Sequence, residues 1–134
     1  MKKRYFLLIM IFTLLLTACS SSKLSSINYN ELKEKLDNKE SFVLYLSSKD
    51  DTLEETLNKV LEEYNFTAYK INTDKLNDED KLSLKLKFDY ADPSIIFIID
   101  GKDPTKLSHV SDSSIRKNSL IARLKDMNFI KEEK

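Results

Sequence analysis

The sequence predicts an α/β sandwich with a mixed central sheet, and three observations point to it. Helical and strand-length apolar patterns alternate in the order helix, strand, helix, strand, helix, strand, strand, helix. Two apolar runs, Phe42-Val43-Leu44-Tyr45-Leu46 and Ser94-Ile95-Ile96-Phe97-Ile98-Ile99, are continuous rather than alternating, as in strands covered on both faces. Asp100-Gly101 follows the second run and carries the chain's only glycine, so a turn with positive φ and a returning strand are expected there.

The first residues belong to a different kind of segment. Lys2, Lys3 and Arg4 precede an apolar stretch from Tyr5 to Leu16, the charged and hydrophobic regions of a signal peptide in their usual order. That stretch is shorter than the roughly 20 apolar residues of a stable transmembrane helix. The next residues, Leu16-Thr17-Ala18-Cys19, resemble the lipobox of bacterial lipoproteins. In that motif small residues give the peptidase access to the bond before the cysteine, and the thiol accepts a diacylglyceryl group as a thioether. The expectation is therefore a signal peptide over 1–18 and a lipidated Cys19 that anchors the protein to the membrane. Ser20 to Ser26 reads as a polar tether.

From Ile27 the pattern turns periodic. Tyr29, Leu32 and Leu36 share one helical face, and Asn28 with Glu31 has the spacing of a capping box. After the strand at 42–46, Ser48 to Asp51 leads into a helix with Leu53, Leu57, Val60, Leu61 and Tyr64 on one side. Asp50, Asp51 and Thr52 suit its N-terminus as acceptors for free N–H groups. Phe66 to Ile71 reads as a strand. Asn77 to Asp80 opens a helix carrying Leu82, Leu84 and Leu86, whose period of two also permits a strand. The returning strand is placed at Lys106 to Ser111. Ser113 or Ser114 caps a last helix that turns Ile115, Leu120, Ile121, Leu124 and Met127 inward.

This order resembles the thioredoxin superfamily over roughly Ile27 to Phe129. Phe42–Leu46 matches the central strand before that family's active-site loop, and Ala68-Tyr69-Lys70-Ile71-Asn72-Thr73-Asp74 matches the next strand and its terminal acid. Asp92-Pro93-Ser94-Ile95 matches the segment with the family's cis-proline. The resemblance implies a thioredoxin-like three-layer sandwich over 27–134, behind the signal peptide (1–18) and the lipidated tether (19–26). It also implies a Cys-x-x-Cys where this chain reads Ser48-Lys49-Asp50-Asp51-Thr52-Leu53, and a buried acid where it has Leu44. A redox-inactive domain of this fold is expected, with no catalytic residues.

Pro93 carries two readings. As a proline at a loop-to-strand junction it stiffens the chain and needs no ligand. As the counterpart of the cis-proline it would expose the backbone of Asp92 beside Lys49, Asp50, Asp51 and Thr52, a candidate groove for an extended peptide.

Composition excludes several classes. The chain holds 22 basic and 22 acidic residues, and losing Lys2, Lys3 and Arg4 with the signal peptide leaves a net charge of −3 on the 116 residues that remain. No basic block is left for nucleic acid. Cys19 is the only cysteine, so a lipidated chain has no thiol for redox or nucleophilic chemistry. His109, the only histidine, lacks the partners a zinc site needs and reads as structural. The acidic pairs lack the glycine and terminal glutamate of an EF-hand, and read as solvated helix faces. No cofactor, metal or enzymatic activity is expected.

The sequence therefore points to a lipid-anchored protein on the outer face of the cell membrane. Its Lys-, Asn- and Ile-rich composition fits an AT-rich genome and a Gram-positive envelope. The expected role is a binding or accessory module with a protein or peptide partner, serving an envelope, transport or secretion system. Two alternatives stand beside it: a shielding or immunity-type lipoprotein, and a divergent thiol oxidoreductase relative.

Overall fold

The fold comes from a computed structural model that describes residues 23–47, 52–91, 93–108 and 113–131. The elements are β1 (Leu24–Ser26), α1 (Tyr29–Asp37), β2 (Phe42–Ser47), α2 (Leu53–Glu63), β3 (Ala68–Asn72), a 3-10 turn (Thr73–Lys75), α3 (Asp78–Phe88), β4 (Ser94–Ile99), β5 (Lys102–Ser108) and α4 (Ser113–Asp126). Five strands form one sheet in the order β1-β3-β2-β4-β5. The first three run parallel, and β4 is antiparallel to both β2 and β5. The mixed α/β sandwich expected from the sequence is the fold.

β2 occupies the centre, and all six of its residues are buried, which is why its sequence shows no polar alternation. Val43 and Tyr45 point to one face and Leu44 and Leu46 to the other, so the sheet separates two cores. On the first face Val43, Tyr45, Ile95 and Phe97 pack with Leu57, Val60 and Leu61 of α2 and Leu120 and Leu124 of α4. On the second, Leu44, Leu46, Ile96 and Ile98 pack with Leu32 and Leu36 of α1 and Leu84 and Phe88 of α3. Fully burying each such side chain contributes roughly 1.5–3 kcal/mol, enough to fix which face each helix presents.

The helices begin where their caps lie. Asn28 and Glu31 form the expected capping box, each side chain bonding the other's backbone N–H. Asn77 caps α3 by accepting from Asp80 N at 2.7 Å. The far end of α3 is closed by a side chain from the sheet: Lys106 Nζ donates to the carbonyls of Phe88 and Asp89 at 2.5 and 2.7 Å.

Three sequence expectations change, and one ambiguity is settled. Leu24–Ser26, read as the end of the tether, forms edge strand β1 on β3, with Ala68 N donating to Lys23 O and Ile27 N to Lys70 O, both at 2.9 Å. Only Leu24 of the three is buried, so the strand is held by its ladder and leaves almost no apolar signal. β5 begins at Lys102 rather than Lys106. Pro104 argues locally against a strand, but a position at the sheet's edge tolerates a residue with no N–H. The period-two leucines lie in helix α3, which settles the helix-or-strand ambiguity. Thr52 stands before α2 but makes no side-chain cap bond.

Gly101 has φ +72°, as the turn requires, and it follows Asp100 with φ 52°. A Cβ at Gly101 would sit 2.4 Å from Leu36 O and 3.1 Å from Lys39 Cα. The hairpin therefore lies directly against the end of α1, where Gly101 N donates to Glu40 O at 3.0 Å.

Candidate functional site

The parallel strands β2 and β3 end at the same pole of the sheet, and β4 starts there. Leu46 pairs with Ser94, which places Pro93 beside the end of β2, and the chain leaving Ser47 returns at Thr52 to begin α2. Thr52 and Pro93, two of the candidate groove residues, thus belong to one pole. Lys49, Asp50, Asp51 and Asp92 lie outside the described residues, as do Leu16, Thr17, Ala18, Cys19 and His109. Thr52 is exposed and Pro93 half-buried. Leu44 is fully buried in the second core.

Under this pole lies a set of buried polar side chains. Ser47, Thr73 and Ser94 are all buried. Thr73 Oγ1 donates to Ser47 O at 2.9 Å, linking the ends of β2 and β3. Ser47 Oγ makes a longer bond to Ile71 O at 3.5 Å, and Ser94 Oγ donates to Ala91 O. These hydroxyls are committed to backbone carbonyls, which satisfies the polar groups where the strands stop. Each is a neutral hydroxyl bonded to a backbone carbonyl among the described residues.

Arg116 is the charged member of the set. It sits on α4, is only 3% exposed, and its Nη1 donates to Thr52 Oγ1 at 2.8 Å. This bond ties α4 to the head of α2, where Thr52 has helical backbone angles and not the extended ones of a capping residue. Arg116 is not among the residues the sequence singles out, although its position carries a signal: it lies four residues before Leu120 and eight before Leu124, on the inward stripe of α4. A charge at an inward position needs a buried partner.

Among the described residues, no three His, Cys, Asp or Glu side chains converge on a possible metal position, and no helix is long and apolar enough to cross a membrane.

The strand order, with β4 starting beside the end of β2, decides the architecture. The fold is that of thioredoxin. Thioredoxin f2 from Chlamydomonas reinhardtii is similar with a TM-score of 0.61 at 16% identity, over 81% of this chain and 99% of that one. Thioredoxin NaTrxh from Nicotiana alata gives 0.59 at 14% identity, over 86% and 99%. Oxidised thioredoxin O2 from Arabidopsis thaliana gives 0.57 at 18%, over 77% and 95%. No family model and no curated protein matches the sequence. At these identities the likeness shows the thioredoxin fold alone. The thioredoxin-like helix head has Thr52-Leu53 here, and no residue from 20 to 134 is a cysteine.

Proposed function

We propose that this chain is a lipid-anchored extracytoplasmic protein whose thioredoxin-like domain acts without thiol chemistry, as a binding or accessory module for an envelope, transport or secretion system. One observation carries the reading. The only thiol is that of Cys19, which stands in a lipobox-like Leu16-Thr17-Ala18-Cys19 five residues before β1, while the head of α2 has a threonine bonded to a buried arginine.

Thiol–disulfide exchange needs an exposed thiolate, and the head of a helix lowers a cysteine's pKa because the free N–H groups and the helix dipole favour negative charge. In this domain the cation Arg116 faces that position, and Thr52 cannot form a disulfide. With catalysis removed, a pole where β2, β4 and α2 meet can still offer backbone groups near Pro93 to an extended peptide. The lipid fixes where such a partner would be met, at the outer surface of the cell membrane.

Reduction of insulin by the purified protein with dithiothreitol tests the chemical half of the proposal. Turnover equal to that of dithiothreitol alone is expected. Turnover above it would contradict the non-redox reading. Cross-linking on intact cells then identifies the protein or peptide partner.

A further inference from the structure

The end of the molecule opposite Thr52 and Pro93 has its own surface, formed where the chain enters the domain. β1 runs parallel to β3 and begins opposite Ala68, the first residue of that strand. Leu24 therefore marks the pole away from Ser47 and Asn72. Lys23, just before it, is pinned there twice: its carbonyl accepts from Ala68 N at 2.9 Å, and its Nζ donates to Asn65 Oδ1.

Asn65 is one wall of a cleft of about 390 Å³ whose apolar lining is Tyr64, Phe66, Phe129 and Ile130. The rings of Phe66 and Phe129 meet edge to face at 5.7 Å, and Tyr64, Phe66 and Phe129 are all half-exposed. Lys131 flanks the opening and is exposed. The acid on the rim, Glu63, is neutralised by Lys117 at 2.6 Å. Aromatic rings thus stand beside Lys131 and beside Lys23 on Asn65, and the one carboxylate among the described lining residues is already paired.

We infer that this aromatic cleft is the face the domain lays on the bilayer, its rings at the headgroup level and Lys23 and Lys131 toward lipid phosphates. The inference rests on the lipid anchor at Cys19. Three residues lie between Cys19 and Lys23, so the four steps of chain reach at most about 14 Å when extended. A domain of this size has a radius of gyration near 13 Å, so its width, about twice that, exceeds the reach of the tether. The pole around Lys23 must stay close to the membrane surface. Aromatic side chains are favoured in the interfacial zone, and lysines beside them extend their amines to the phosphates. The pole with Thr52 and Pro93 then points away from the bilayer, toward soluble or wall-bound partners.

The test uses the full chain in cells. A benzophenone amino acid is placed at Lys131, which is exposed and outside both cores, and in a second variant at Leu86 on the outer face of α3. After irradiation the protein is extracted and its peptides are weighed, the N-terminal peptide included. The inference expects a diacylglyceryl group on Cys19 and phospholipid adducts several-fold more abundant at position 131 than at 86. A lipidated Cys19 with equal or fewer phospholipid adducts at 131 overturns the docking face and leaves the anchor standing. Adducts at 131 to another protein likewise overturn it, in favour of a protein-binding cleft. An N-terminal peptide without lipid overturns both.

Discussion

Arg116 and Thr52 are 64 positions apart in the sequence, and a hydrogen bond of 2.8 Å joins them at the head of α2. The guanidinium is buried, while Thr52 is exposed. Bonds to charged groups contribute about 1.5–3 kcal/mol, and Arg116→Met is expected to lower stability by that amount in urea unfolding. Thr52→Val should cost less, and the double variant should lose less than the sum because the two changes remove one shared interaction. Strictly additive losses would mean that the bond does not couple the two helices.

Gly101 tests the contact between the hairpin and α1. Its φ of +72° opposes any side chain, and a Cβ would press on Leu36 O at 2.4 Å. Left-handed backbone costs about 1–2 kcal/mol and overpacking about 1–3, so Gly101→Ala should destabilise by roughly 2–5 kcal/mol. Equilibrium unfolding measures this directly. A loss below about 0.5 kcal/mol, the range of neutral surface changes, would contradict the close approach.

Helix α3 supplies a contrast within three leucines. Leu84 is fully buried, while Leu82 and Leu86 are 59% and 78% exposed. Leu84→Ala should cost about 2–5 kcal/mol, and Leu86→Glu should stay within about 0.5 kcal/mol of the parent. If these leucines alternated on a strand, all three would respond alike. A similar response from Leu84 and Leu86 would therefore reject the helix.

These residues also show what the sequence made legible. Leu82, Leu84 and Leu86 fit a strand because they recur every second position, yet at 100° per residue a helix places Leu84 opposite the other two and aligns it with Phe88. The buried pair of Leu84 and Phe88 decided the element, and only packing against Ile96 and Ile98 could select it. Continuous apolar runs exposed β2 and β4 at once, since a strand buried on both faces leaves no room for polar residues. β1 could not be read, because three residues held by a ladder to Ala68, Tyr69 and Lys70 carry their information in the partner strand. The pole of the candidate site was legible in Thr52 and Pro93. Arg116 was not seen because its partner lies 64 residues away, and its place on the apolar stripe of α4 was the clue.

The state of the chain's only cysteine decides most directly between an anchored, thiol-free protein and a redox one. The protein is extracted from membranes, its N-terminal peptide is weighed, and its free thiols are counted after unfolding. The prediction is a mature chain beginning at Cys19 with a thioether-linked diacylglyceryl group and no free thiol, so that anchoring and redox silence follow from one modification. A chain that retains residues 1–18, or one whose Cys19 remains a free thiol, would contradict it.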